Sequence, residues 1–174
     1  RELRIAKVII PFAPGHFSAY GMLFADLRRD LVNTWFKPLD AASFDDLEAL
    51  FAAMEKTGAK DLARSRDMIV EMQNERGADM RYVGQEHAVT VHLPMELFKN
   101  HDRAGIKARF DAVHETRYGY SAPGEKAEIV SLRSATIGLM RKPMLEPVGA
   151  ASEDAADAFT GRRPVYFAAA GVVD

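Results

Sequence analysis

The chain carries five histidines, 25 acidic side chains and no cysteine. Spacing limits what the histidines can do. His16, His87, His92, His101 and His114 form neither H-x-x-x-H nor H-E-x-x-H. His87 and His92 sit an odd number of residues apart on an expected strand, so they point to opposite faces and cannot share one ion. No metal site is expected. The lack of cysteine excludes thiolate nucleophiles, disulfides and cysteine-ligated zinc. No G-x-S-x-G elbow and no Ser-His-Asp set can be identified, and nothing singles out a catalytic pair among the acids.

Three short stretches have the residue types to hold a ligand. In "DMRYVGQ", residues 79–85, Arg81 can pair a carboxylate or phosphate, with the Gln85 amide and the Gly84 backbone as further donors. The same letters also describe a plain strand end, with Met80 and Tyr82 facing a core, Asp79 and Arg81 solvated and Gly84 at a bulge. In "HETRYGY", His114 is either a general base or substrate donor, or a helix C-terminal histidine satisfying free carbonyls. Tyr118 and Tyr120 are expected to pack the turn. In "FAPGHFSAYG", Pro14, Gly15, Ser18 and Gly21 form a turn into a helix start, whose free N–H groups suit an anion. The spacing matches no phosphate loop, and the alternative is a tight turn with Ser18 as helix cap.

Composition bounds the setting. The 174 residues are 48% hydrophobic and 28% charged, an ordinary globular mixture with room for a core. The net charge of −2 gives no basic footprint, so no nucleic-acid partner is expected. No run approaches the roughly 18 apolar residues of a membrane span. The first residues also lack the apolar core of a signal peptide. No membrane partner is expected, and the location is expected to be cytoplasmic. The chain opens on Arg1 and both ends fall within apolar runs, which suggests a fragment of a longer polypeptide.

The elements that must position these residues follow from hydrophobic period. Residues 5–10, "IAKVII", read as a buried strand ended by Pro11. A helix is expected from Ser18 to about Leu27, and a strand over 31–37, where Pro38 stops it. Ser43 and Asp46 have capping-box spacing ahead of Phe44, Leu47, Phe51 and Met54, with Gly58 expected to end that helix. A short helix follows over 59–65. Alternation from Met68 to Val83 and from Val89 to Leu93 indicates antiparallel sheet. A helix over 102–117 buries Ile106, Phe110 and Val113, and 127–140 is the longest strand. Residues 142–163 lose periodicity and read as a flexible loop, and "RRPVYF" resumes as strand. The predicted class is α+β, with helices packed on one face of a mostly antiparallel sheet.

Taken together, the motifs are similar to those of the hydantoinase A / 5-oxoprolinase family. "VIIPFAPGHFSAYGMLFADLRRDLVNT" resembles its P-G-x-x-S-A-x-G turn followed by AD-x-R-x-D. "ADMRYVGQEHAVTVHLP" resembles its D-x-R-Y-x-G-Q strand, and "FDAVHETRYGYSAPGEKAEIVSLRSATIG" its F-x-x-x-H-x-x-x-Y-G-Y turn and EIV-x-LR strand. The match runs over residues 5–140 in the same order. The resemblance implies the C-terminal region of an A-type subunit. Residues 1–40 would close an actin-like ATPase core with its last strand and helix, and residues 41–174 would form a C-terminal α+β domain. ATP and Mg²⁺ would drive opening of a hydantoin or 5-oxoproline ring from elsewhere in the full-length protein, with none bound to this piece and no activity from it alone. The upstream ATPase domain, a B-type subunit and a small cyclic amide would be its partners. Relatives include ketone carboxylases, and the alternatives are part of such a carboxylase or a non-catalytic module docking the B-type subunit. Arg81, Tyr82, Gln85 and His114 are the implied substrate or interface candidates, and Pro14, Gly15, Ser18 and Gly21 the nucleotide-domain turn. His16 departs from the family's usual aliphatic residue, and 145–161 matches nothing in it.

Overall fold

A strand with one face packed under helices needs apolar residues at every second position, and this sequence supplies four such strands. The computed structural model describes residues 5–11, 14–144, 156 and 159–173. The chain divides into two compact units, His16–Pro143 and Arg1–Gly15 with Met144–Asp174.

The larger unit runs α1 (Phe17–Met22), β1 (Leu27–Pro38), α2 (Phe44–Leu62), β2 (Ile69–Tyr82), β3 (Val89–His92), α3 (Met95–Lys99), α4 (Arg103–Tyr118) and β4 (Ala127–Met140). All strand pairs are antiparallel, in the order β1-β4-β2-β3. Phe51, Met54, Met80, Tyr82, Phe98, Ile106, Phe110, Ile129 and Leu132 form one buried core between the sheet and the helices. Burying an aromatic or aliphatic side chain of this size stabilises by about 1.5–3 kcal/mol. The α+β class expected from the sequence is the class observed.

Helix ends follow local chemistry. The Ser43 hydroxyl accepts from the Asp46 N–H at 3.4 Å, as the capping-box spacing predicts. Asp102 accepts from the Gly105 N–H at 2.8 Å to start α4, and Gly119 ends it at φ 80°, where a side chain would be strained. The short helix α3, after Pro94, has no sequence counterpart above.

Several expectations are corrected. Residues 5–10 are not a strand, and Ile5, Val8, Ile9 and Ile10 are all exposed. No strand pairs with them among the described residues. Ser18 is not a cap. His16 holds that position without a side-chain bond, and α1 stops at Met22 because Leu27 already belongs to β1. β1 is hydrogen-bonded along β4 from Leu27 to Pro38, so residues on both sides of position 40 lie in the larger compact unit. Gly58 lies inside α2, where a Cβ would overlap the Thr136 hydroxyl, so its role is a close helix–sheet approach.

The bulge also lies elsewhere. Met80 opposes Ile129 while Asp79 opposes Ser131, which leaves Val130 of β4 as the extra residue. This insertion changes the parity of β4, so that Ile129 and Leu132 both enter the core. Gly84 instead makes the turn after β2, at φ 87°.

In the smaller unit, β5 (Val165–Phe167) and β6 (Gly171–Val173) form an antiparallel hairpin, so the strand read in "RRPVYF" is present. Most of the loop expected over 142–163 lies outside the described residues.

Candidate functional site

The pleat decides which residues of "DMRYVGQ" can act together. Met80 and Tyr82 face the helices, while Asp79 and Arg81 face the other side of the sheet. The structure therefore separates Arg81 from the other three candidates.

On the uncovered face, Arg81 donates from Nε to Glu128 at 2.7 Å and from a terminal nitrogen to the Glu86 carbonyl at 3.1 Å. Its guanidinium lies 5.4 Å from the Phe36 ring centroid. Asp79 beside it is not solvated. It accepts from Arg133 Nε at 2.7 Å, from the Thr90 hydroxyl at 2.6 Å and from the Ser131 hydroxyl. Burial works against its charge, but the bonds from Arg133, Ser131 and Thr90 outweigh burial and hold the carboxyl below its usual range.

Under the helices, Tyr82 ends β2 and ties three elements together. Its hydroxyl donates to Asp111 of α4 at 2.7 Å and accepts from the Ala122 N–H at 2.8 Å. Lys107 donates to the same carboxylate at 2.6 Å. Burial, reinforced by the bond to Asp111, pushes the phenol up to about 12. Tyr82 is thus a neutral structural tie.

His114 lies one residue-turn below the end of α4 and is only 1% exposed. Tyr82, Phe110, Tyr118 and Tyr120 surround its ring at centroid distances of 4.8, 5.7, 4.7 and 5.0 Å. The Tyr120 carbonyl lies 2.9 Å from Nδ1 and can only accept, which places a proton on that nitrogen. Nε2 lies 3.2 Å from the Gln85 side-chain oxygen, and the Gln85 amide nitrogen donates to the Tyr120 hydroxyl at 3.3 Å. The Gln85 backbone N–H closes the Gly84 turn onto the Tyr82 carbonyl at 3.0 Å. His114 therefore satisfies a carbonyl beyond the helix end, in a turn the helix itself does not reach.

These side chains open onto a recess of about 190 Å³, lined by Gln85, Glu86, His87, His114, Tyr118 and Tyr120. Tyr118 and Tyr120 are 44% and 54% exposed, so their rings form accessible walls above a buried imidazole. The arrangement can accept and donate hydrogen bonds at its floor and cover an apolar ligand with its sides.

Pro14, Gly15, Ser18 and Gly21 are all exposed, in the 3-10 turn Pro14–His16 and the six-residue helix α1. Sequence reading missed Tyr120 as a hydrogen-bonding member, along with Asp111 and Glu128. The Tyr120 hydroxyl meets Gln85 35 residues away, Asp111 meets Tyr82 29 away and Glu128 meets Arg81 47 away, distances at which no local pattern signals a contact. The F-x-x-x-H-x-x-x-Y-G-Y spacing did place His114, Tyr118 and Tyr120 within one turn of each other.

No family model matches the chain. It is 30% identical over 145 residues to the uncharacterized protein MJ0964 of Methanocaldococcus jannaschii, covering 83% of this chain and 20% of that protein. It is 26% identical over 170 residues to caprolactamase subunit alpha of Pseudomonas jessenii, covering 95% of this chain and 24% of that protein. The chain thus spans about a fifth to a quarter of the length of these relatives. Among solved structures, the ATP-dependent caprolactamase from Pseudomonas jessenii superposes with a TM-score of 0.63 at 24% identity, over 87% of this chain and 22% of that one. Acetone carboxylase in its nucleotide-free form does so with a TM-score of 0.51 at 17% identity, over 80% of this chain and 21% of that one. Both share the fold.

Proposed function

We propose that this chain is the C-terminal part of an ATP-dependent subunit that opens small cyclic amides, of the hydantoinase A / 5-oxoprolinase type. The observation that carries this reading is its similarity to caprolactamase subunit alpha along 95% of its length. The order of the three motifs from residue 8 to residue 138 supports the same assignment.

The chemistry explains why such a protein uses ATP. An amide carbon is a poor electrophile, and phosphorylating the amide oxygen makes ring opening feasible. The residues described here do not fit the nucleotide. No group of three or more His, Asp or Glu side chains among them could hold a metal ion. Their helix starts carry no phosphate loop. ATP and Mg²⁺ are assigned to the remainder of the full-length protein, and no catalytic step is derived through them. This domain supplies a wall of the substrate cleft and a contact for a B-type partner subunit. No described helix is long and apolar enough to cross a membrane.

A second reading, part of an ATP-dependent ketone carboxylase, is favoured by the fold shared with acetone carboxylase. One assay separates the two. The full-length protein and its partner subunit are incubated with ATP and, in turn, caprolactam, a hydantoin, 5-oxoproline, and acetone with bicarbonate. ATP-dependent release of a ring-opened acid supports the proposal. Carboxylation of acetone, or no ATP-dependent product from any cyclic amide, overturns it.

A further inference from the structure

The hydrogen-bond inventory around His114 leaves one group incompletely used. A glutamine amide has two N–H donors and two oxygen lone pairs. His114 and the Tyr120 hydroxyl each occupy one of these four positions on Gln85. Two arrangements satisfy the neighbours. Either an imidazolium Nε2–H donates to the Gln85 oxygen, or the amide is turned over, donates to a neutral Nε2 and accepts from the Tyr120 hydroxyl. In both, Gln85 keeps one N–H and one oxygen lone pair without a protein partner. Those free positions belong to a side chain whose neighbour His114 is fixed by the Tyr120 carbonyl and packed by four aromatic rings.

The recess beside them is small. At about 190 Å³ it lies below the roughly 300–1,000 Å³ of drug-sized sites. It holds one small ring. Tyr118 and Tyr120 provide apolar walls for methylene groups, and the Gln85 amide provides one donor and one acceptor at the floor.

We propose that this recess binds the cyclic amide itself, through a reciprocal pair of hydrogen bonds between the Gln85 carboxamide and the ring N–H and C=O. The inference rests on the functional reading above for its substrate class, and on the structure for its place. Ring closure forces an amide to be cis, with N–H and C=O on one edge, the same edge a primary carboxamide presents. An open-chain secondary amide is trans, and turning it costs about 2.5 kcal/mol. It can make one of the two bonds but not both. The recess thereby selects rings over open chains before any chemistry, and it releases the ring-opened product, which has lost the paired edge. Gln85 is the specificity-determining residue, and His114 with Tyr120 its positioning residues.

The test uses the 174-residue chain without ATP, so that binding is read apart from turnover. Caprolactam and N-methylacetamide are titrated in turn while NMR follows the Gln85 side-chain amide and the His114 and tyrosine rings. Saturable shifts at Gln85, His114, Tyr118 and Tyr120 with caprolactam, about tenfold weaker with N-methylacetamide, are expected from either the loss of one of two neutral hydrogen bonds or the cost of the cis form. Gln85→Leu should abolish the ring preference, and Tyr118→Ala should weaken binding of both amides while the amide spectrum stays dispersed. Absence of shifts at these residues, or equal binding of the two amides, overturns the inference. Should the full-length protein open caprolactam with ATP while this recess ignores it, the functional reading stands and the inference fails. Binding here with no ATP-dependent ring opening supports the site and overturns the functional reading.

Discussion

Arg76 and His114 are both buried polar side chains, and their surroundings differ in one respect. Arg76, 4% exposed, donates to Glu55 at 2.6 and 3.2 Å and to Glu48 at 2.8 Å. Phe51 and Phe98 sandwich its guanidinium at 4.9 and 5.1 Å. Burial opposes its charge, but the bonds from Glu55 and Glu48 more than offset that and raise its proton affinity further. His114 is buried as deeply, yet its shell ends in Gln85, which has bonding capacity left over and faces a recess. All three guanidinium nitrogens of Arg76 donate to carboxylates within the fold, as in a residue that locks α2 to β2. The His114 cluster has partners to spare, as a residue group awaiting a ligand should.

The largest expected effect breaks the closed cluster. Arg76→Ala strands two carboxylates and leaves a void between two rings, and should cost about 3–5 kcal/mol in chemical denaturation. Arg76→Met keeps the volume and should cost less. Neither should change ligand affinity per folded molecule.

Next comes the Tyr82 tie between β2 and α4. Tyr82→Phe removes one of the donors to Asp111, which keeps Lys107, and leaves the Ala122 N–H without its acceptor, and should cost about 1–3 kcal/mol. Its pH dependence has a definite sign. The folded-state pKa is raised to about 12, so the stabilisation is complete below the unfolded value near 10 and is lost as pH rises through 12. The wild-type chain should weaken across that alkaline window and Tyr82→Phe should not.

On the uncovered face the sign reverses. The Asp79 carboxyl is held below its usual range, so its contribution is present above about pH 4 and is lost on further acidification. Asp79→Asn should flatten the acid limb of stability measured by thermal unfolding. The smallest expected change in stability is at Gln85→Leu, about 1 kcal/mol, because the buried His114 Nε2 loses its partner.

Elements with a local signature were legible in the sequence. The Ser43–Asp46 spacing, the period of Phe44, Leu47, Phe51 and Met54, and Gly119 after Tyr118 each encode a helix end or face within one or two turns. Residues 127–140 were read as one long strand and are one. What escaped was set by distant neighbours. Gly58 looks like a helix stop until Thr136, far along the chain, is seen pressed against it. The Val130 bulge follows from pairing with β2, and an alternating pattern alone puts Val130 with Leu132 on one face. Residues 5–10 have strand composition and no strand partner among the described residues. At the candidate site, Gln85 and His114 were singled out and do meet, because a turn and a helix end converge there. Arg81 was grouped with them by adjacency, and the pleat sends it to the opposite face.

The contrast between a closed and an open cluster is tested most directly by the KM of the full-length Gln85→Leu protein for its cyclic amide, read beside its melting temperature. A KM raised about tenfold, with kcat and the KM for ATP unchanged and the melting temperature lowered by only a few degrees, is the predicted result. An unchanged KM, or a rise matched by an equal rise in the KM for ATP, would contradict it.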